Sequence, residues 1–238
     1  MNNEFSYEGR DLETMAILLR YYRWILEMFS PYLSGHAVEF GAGQGTISEI
    51  LLPRIDKLDL IEPSANLFEV LRQKFDGNER IALFDSTLED HLKDAAPASR
   101  DVAILVNVLE HIEDDRWALI EIMKLLKPGG TLLLFVPALR ILYSEFDRLV
   151  GHYRRYHRDE VGQLVSAVGF EIISNKYCDV LGVLPWLILN KYLGSTKLNP
   201  KLAGLYDYFG IPLTRSLEKI IAPPFGKNVV LIARRPIE

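Results

Sequence analysis

The sequence predicts an α/β fold, a doubly wound and mostly parallel sheet with helices on both faces, from three observations. Short runs rich in β-branched residues and leucine alternate with segments whose apolar residues recur at helical spacing. Glycine- and proline-bearing turns mark most passages between the two patterns. One run, Asp101 to Val106, is apolar almost throughout and suits a strand buried on both faces. With 238 residues, 49% of them hydrophobic and 25% charged, the chain can bury one sizeable core. A single domain over 1–238 is expected, with a helical cap at 1–30 and a helical insertion or lid at 180–227.

The elements follow in order. Leu12 to Phe29 carries Ile17, Leu18, Tyr21, Tyr22, Ile25, Leu26 and Phe29 at helical spacing and stops at Ser30-Pro31, because proline disfavours helix in the residue before it. His36 to Phe40 reads as a strand that enters Gly41-Ala-Gly-Gln-Gly45, and Ile47 to Leu52 as a helix closed by Pro53. Lys57 to Ile61 is a second strand, Ser64 to Phe75 a helix with Leu67, Leu71 and Phe75 on one face, and Arg80 to Phe84 a third strand. After Asp101 to Val106, Asp114 can cap a helix with Leu119, Ile120, Met123 and Leu126 inward, ended by Pro128-Gly-Gly130. Thr131 to Val136 is a fifth strand, Asp159 to Val168 a helix ended by Gly169, and Phe170 to Tyr177 and Asn228 to Ala233 are the last strands. Val180 to Lys227 is too long for a plain connection, and long excursions in a compact domain tend to be functional.

A net charge of −5 gives no general attraction to a polyanion, so a nucleic-acid substrate is not expected. The lone Cys178 offers neither a disulfide nor a zinc spacing and suits a reducing compartment, and Met1 to Asp11 lacks a secretory pattern, so the expected address is cytoplasmic.

Chemistry concentrates where strands end. Glu39-Phe-Gly41-Ala42-Gly43-Gln-Gly45 lies at a strand-to-helix junction, where glycine lets the backbone turn tightly and approach a ligand. The dinucleotide pattern GxGxxG would need its third glycine at position 46, which is Thr46. Glu62, before Pro63, ends the second strand, where a carboxylate can accept both hydroxyls of a ribose. Asp85, beside Ser86, ends the third strand and suits the exocyclic amine of an adenine. Three acids around one cleft favour a sulfonium cation and repel a pyrophosphate. S-adenosylmethionine has the cation and lacks the phosphates.

At these residues, with Leu60-Ile-Glu-Pro-Ser64, Asn107-Val-Leu-Glu-His-Ile112 and Leu126-Lys-Pro-Gly-Gly130, the chain resembles the class I S-adenosylmethionine-dependent methyltransferases, specifically the bacterial small-molecule type. The resemblance implies a Rossmann-like sheet in the order 3-2-1-4-5-7-6 with strand 7 antiparallel. It also implies a donor held by Glu39, the Gly41 to Gly45 backbone, Glu62, Asp85 with Ser86, and Asn107 with Val108. Tyr22 or Arg23 is placed to reach the donor carboxylate.

The implied activity is methyl transfer to an oxygen or nitrogen nucleophile of a small molecule. The rivals are a non-catalytic adenosylmethionine-binding protein and a nicotinamide-dependent oxidoreductase. Gly151-His-Tyr-Arg-Arg-Tyr-His157 supplies candidates for acceptor chemistry: His152 as general base, with His111 as the other candidate, and Tyr153, Arg154, Arg155 and Tyr156 as grips on the acceptor. Its alternative is a solvated loop whose arginines pair with Asp147 and Asp159, and Glu110 and His111 can equally serve local backbone. No metal is expected, since Glu113-Asp114-Asp115 suits the first turn of a helix. Residues 180–193, apolar and proline-broken, suit a lid, core, a homodimer contact or a peripheral membrane contact.

Overall fold

Strand alternation decides how the layers form. The computed structural model describes Thr14, Met15 and residues 17–237. In β4 (Arg100–Val106), Val102 and Ile104 point to one side of the sheet while Ala103 and Leu105 point to the other, as the two-residue repeat of a strand requires. Both sides are apolar, so both must be covered. β1 (His36–Phe40), β2 (Lys57–Ile61), β3 (Ile81–Phe84), β5 (Leu126–Pro137), β6 (Glu171–Cys178) and β7 (Asn228–Arg234) complete a seven-stranded sheet in the order β3-β2-β1-β4-β5-β7-β6. β7 runs antiparallel to both β5 and β6, and the remaining pairings are parallel. This is the order and direction that the resemblance implies.

α1 (Leu19–Phe29) covers one side, burying Tyr21, Tyr22, Ile25, Leu26 and Phe29 against Ala37, Leu58, Ile104 and Phe135. α2 (Thr46–Leu51) and α3 (Ala65–Phe75) pack on the same side, through Ile47, Leu51, Leu71 and Phe75. α4 (Leu88–Asp94), α5 (Asp115–Leu125) and α7 (Arg158–Val168) cover the other, with the short α6 (Glu145–Leu149) in the loop before α7. Asp114 caps α5 by accepting from Trp117 N at 2.9 Å. Gly169 ends α7 at φ +114°, a left-handed conformation that glycine adopts without a Cβ clash.

Five elements differ from the sequence reading. The expected helix from Leu12 to Phe29 is interrupted: Thr14 and Met15 are helical, Ile17 and Leu18 are not, and helix resumes at Leu19, while positions 12, 13 and 16 lie outside the described residues. The buried face of α5 is Ala118, Leu119, Ile122 and Leu125, rotated from the expected Leu119, Ile120, Met123 and Leu126, since small Ala118 lets the helix approach the sheet. Pro128-Gly-Gly130 lies inside β5, whose pairing with β4 starts at Leu126 opposite Arg100 and is interrupted by a register shift. α4 and α6 are short and capped by Thr87 and Ser144, too brief to show a helical repeat in sequence.

The segment between β6 and β7 is helical: α8 (Val183–Trp186) and α9 (Pro200–Leu205), each running into a π-helical turn, then α10 (Ile211–Ile220). Buried polar groups tie it to the sheet. Asp207 accepts from the backbone of Tyr21 at 2.9 Å and of Arg20 at 3.2 Å, and buried Asp179 pairs with Lys227 at 2.9 Å and accepts from the Tyr206 hydroxyl. Among the described residues no helix is long and apolar enough to cross a membrane.

Candidate active site

The tips of β1 and β2 are locked together by backbone. Gly41 N and Ala42 N both donate to Ile61 O, at 2.9 and 3.1 Å, which forces the chain to turn directly after β1. Gly41 takes φ +67°, and a Cβ there would stand 2.6 Å from the Val108 methyl. Glu62, only 4% exposed, accepts from Gly43 N at 2.8 Å with one carboxylate oxygen and from Ser64 N at 2.9 Å with the other. Each oxygen keeps a lone pair for a ligand hydroxyl.

Glu39 is buried beside it and accepts from Ser48 Oγ at 2.6 Å. Burial pushes its pKa up to about 8, against the opposing hydrogen bond from Ser48, and the Glu62 carboxylate adds to the rise. Such a carboxyl is poised to ionise when a cation arrives next to it.

These groups open into a cavity of about 580 Å³ that runs from the glycine loop to the loop after β5. Of the donor-side candidates, Tyr22, Glu39, Gly41, Ala42, Gly43, Glu62, Pro63, Asn107 and Val108 line it. Asn107 takes φ +54°, a conformation asparagine tolerates better than most residues, and this turns the chain beneath the cavity directly after β4. Arg23 and Asp85 are exposed and outside the lining, and Ser86 has a buried hydroxyl with no hydrogen-bond partner. At that end the wall is Thr87, Leu88 and Glu89.

The far wall is built from the loop after β5. His152 Nδ1 lies 2.9 Å from Asp147 Oδ1, and Arg155 Nε donates to the same oxygen at 2.8 Å. Asp147 is fully buried; burial pushes its carboxyl up, but the hydrogen bond from His152 and the charge of Arg155 outweigh this and hold it below the usual range. His111 meets His152 edge to face with ring centroids 4.6 Å apart. Burial and the neighbouring His152 lower its pKa to about 4, so His111 is neutral near pH 7.

His111, His152 and Arg155 line the cavity, and Tyr153, Arg154 and Tyr156 do not. Tyr153 is exposed, while Arg154 pairs with Asp115 at 2.6 Å and the Tyr156 hydroxyl donates to the same carboxylate at 2.9 Å. The alternative pairing of the arginines holds for Asp147, through Arg155, whereas Asp159 pairs with Arg158.

The sequence reading names Asp147 only as a partner of the arginines and does not single out Trp186 or Lys227. Asp147 carries a signal in the pattern Ser144-Glu-Phe-Asp147, since Ser144 and Asp147 form a capping box around the start of α6. Trp186 and Lys227, which also line the cavity, come from the two ends of the insertion and have no local signature.

The lining suits S-adenosylmethionine chemically: Glu39 is a buried carboxyl able to face a cation, Glu62 keeps lone pairs for hydroxyl groups, and no cationic cluster for a pyrophosphate lines the glycine loop among the described residues. Fold and cavity together define a Rossmann-like ligand site at the ends of β1, β2 and β4. Residues 38–132 match the family model described as a methyltransferase domain. A methyltransferase chain from the complex with the Haloferax volcanii Trm112 methyltransferase activator superposes with a TM-score of 0.67 at 15% identity, covering 96% of this chain and 95% of that one. An S-adenosylmethionine-dependent methyltransferase from Mesorhizobium loti gives 0.62 at 14% identity over 91% and 98% of the chains. The Haemonchus contortus phosphoethanolamine N-methyltransferase 2 in complex with S-adenosyl-L-methionine gives 0.62 at 17% identity over 95% of this chain and 57% of that one. Comparison with curated protein sequences returns no match. Residues 38–132 thus resemble a methyltransferase domain, and the chain as a whole shares the fold of these structures.

Proposed function

We propose that the protein methylates an oxygen or nitrogen nucleophile of a small molecule at the wall formed by His111, His152 and Arg155. The observation that carries this reading is the Asp147–His152 pair on the wall of the cavity that also contains Glu39 and Glu62. When bound, the donor supplies a methyl group on a sulfonium; the acceptor lone pair forms the new bond as the sulfur leaves neutral. Glu62 holds the ribose, and Glu39 faces the cationic end. Asp147 accepts the His152 Nδ1 proton, which leaves Nε2 as the acceptor of a proton from the nucleophile. Arg155, gripped by Asp147 and lying 4.6 Å from the Trp186 ring, keeps the wall cationic for an anionic or aromatic acceptor. Asp85 and Ser86 stay in the proposal as the adenine contact, with the unpartnered Ser86 hydroxyl as the supporting observation.

The test is calorimetry with S-adenosylmethionine followed by an adenosylhomocysteine assay over phenolic, carboxylate and amine acceptors. Tight donor binding with turnover on one class supports the reading. Binding without turnover on any class favours the non-catalytic alternative.

The insertion supports a lipid surface as partner. Leu184, Tyr192, Leu193, Phe209, Ile220 and Ile221 are all exposed, and beside them Lys197, Lys201 and Lys219 are exposed and unpaired with an acid among the described residues. Its two acids are engaged inward, Asp207 with the start of α1 and Glu218 with Val180 N at 2.9 Å. Exposed apolar side chains interspersed along the insertion with unpaired lysines match an anionic interface. Flotation with phosphatidylglycerol-containing vesicles, and not with pure phosphatidylcholine, is expected. A stable homodimer that does not float assigns the face to a second copy instead.

A further inference from the structure

Glu110 is the least comfortable group in the molecule. Its side chain is fully buried, and neither carboxylate oxygen has a hydrogen-bond partner on any other described residue. The backbone holds it there, since Tyr153 N donates to Glu110 O at 2.8 Å and pins the loop after α6 onto the turn after β4. An ionised carboxylate left alone in the interior costs several kcal/mol. Burial accordingly pushes its pKa up to about 7, despite the opposing pull of His152.

Two imidazoles face it. The ligand-capable atoms of Glu110, His111 and His152 all lie within 4.8 Å of one another, and Glu110 Oε1 stands 3.9 Å from His152 Nε2. That distance is too long for a hydrogen bond. His152 Nδ1 is already engaged by Asp147, which leaves Nε2 with its lone pair, and the Gly151 backbone lies beside the His111 ring. A histidine oriented through its second nitrogen by a carboxylate or a backbone group is the arrangement that supports a metal ligand.

We propose that Glu110, His111 and His152 bind one divalent first-row transition-metal ion at the acceptor end of the cavity. One carboxylate and two imidazoles suit Zn²⁺, Co²⁺ or Mn²⁺ better than Mg²⁺ or Ca²⁺, which take oxygen ligands. Donors around a tetrahedral ion at about 2.0–2.1 Å stand about 3.4 Å apart, so side-chain movement has to close the 3.9 Å gap between Glu110 and His152 and gaps of up to 4.8 Å within the trio. An ion in this position takes one Glu110 oxygen and one ring nitrogen from each histidine. A Glu110–His152 ion pair would leave His111 unused. The sequence reading expected no metal because it looked for acids in a helix turn; these ligands come instead from the turn after β4 and a loop about 40 residues later.

His111 and His152 line the cavity, so the open coordination positions face it. This part rests on the proposed methyl transfer: an acceptor hydroxyl ligated there loses its proton more readily, the metal lowering its pKa as it does that of bound water. With the ion bound, His152 is a ligand in place of its role as base, and the acceptor proton passes to solvent.

Binding is read without donor or acceptor. Full-length protein stripped with a chelator is titrated with Co²⁺ while its visible absorption is followed, then with Zn²⁺ by calorimetry. Expected are one ion per chain, a four- or five-coordinate Co²⁺ spectrum displaced by Zn²⁺, and a Zn²⁺-dependent rise in melting temperature. Glu110→Gln, which removes a buried charge and is expected to melt no lower than the stripped wild type, loses all three signals. Asp147→Asn weakens the site by about 10- to 100-fold. Wild type that binds Co²⁺ no better than Glu110→Gln overturns the site. Metal binding without methyl transfer overturns only the catalytic reading, and methyl transfer undiminished by chelation in a protein that takes up no ion overturns only the metal.

Discussion

The two halves of the cavity are made differently. The donor half is a backbone device: Gly41 N and Ala42 N reach Ile61 O, Gly43 N and Ser64 N reach Glu62, and all of it falls between positions 39 and 64. The acceptor half is a side-chain device, assembled from Glu110 and His111 after β4, Asp147 to Arg155 after β5, and Trp186 and Lys227 at the ends of the insertion. Residues 38–132, which match the methyltransferase family model, contain the first half and only Glu110 and His111 of the second. A ligand common to a family can be held by backbone geometry that many sequences adopt, whereas an acceptor particular to one protein needs particular side chains.

The sharpest way to break this division is His152→Ala. Turnover should fall by about 10²- to 10⁴-fold, the range of acid–base catalysis, while calorimetry shows donor affinity unchanged. A loss of donor affinity would join the halves into one unit. Glu62→Ala is the reciprocal test. It strips the partners from Gly43 N and Ser64 N as well as from the ribose, and hydrogen bonds to a charged group contribute about 1.5–3 kcal/mol each. Donor affinity should fall by about 10²-fold or more, with the melting temperature lowered in parallel. Retained affinity would remove position 62 from donor recognition.

The same difference explains what the sequence discloses. The sheet order, Glu39, Glu62 and the glycine turn are legible because each rests on a local pattern: an apolar strand, then a glycine or an acid at its tip. Arg154 and Arg155 show the opposite case. They are adjacent and alike in sequence, yet Arg155 is buried against Asp147 and Arg154 turns outward to Asp115. Nothing local distinguishes them, because their directions are set by the isolated bridge between Ala138 and Tyr156 that anchors the loop to the end of β5. Asp85 lies outside the cavity lining for a related reason. The tip of β3 is a sheet edge, and the chain that returns to the cavity is Thr87 to Glu89.

Acidity gives a smaller and more graded test of the donor half. With its pKa raised to about 8, Glu39 binds a proton across much of the neutral range, and an arriving cation must expel it. Donor affinity should therefore climb as pH rises from about 6 to about 8, by at most tenfold per unit, and level off above. Glu39→Gln flattens the profile. In the free protein the sign reverses. Because the folded state holds this proton more tightly than the unfolded chain, the shift favours folding less and less as pH climbs from 4.5 to about 8. A donor affinity independent of pH in the wild type would place the cation away from Glu39.

Arg154→Ala carries the smallest expected effect and tests the division within a single loop. The Arg154 side chain is 30% exposed, and its partner Asp115 keeps the Tyr156 hydroxyl when the guanidinium is gone. Exposed ion pairs contribute about 0–1 kcal/mol, so the melting temperature should drop by no more than about 2–4 °C. The acceptor KM should not move, because Arg154 does not line the cavity. Arg155→Ala, by contrast, leaves Asp147 buried with one partner fewer, a change that destabilises by about 3–5 kcal/mol. Should Arg154→Ala raise the acceptor KM several-fold at an unchanged melting temperature, the acceptor extends beyond the cavity onto the outer face of the loop. The exposed Tyr153, whose ring lies 5.8 Å from the Arg154 guanidinium, would then belong to the binding surface too.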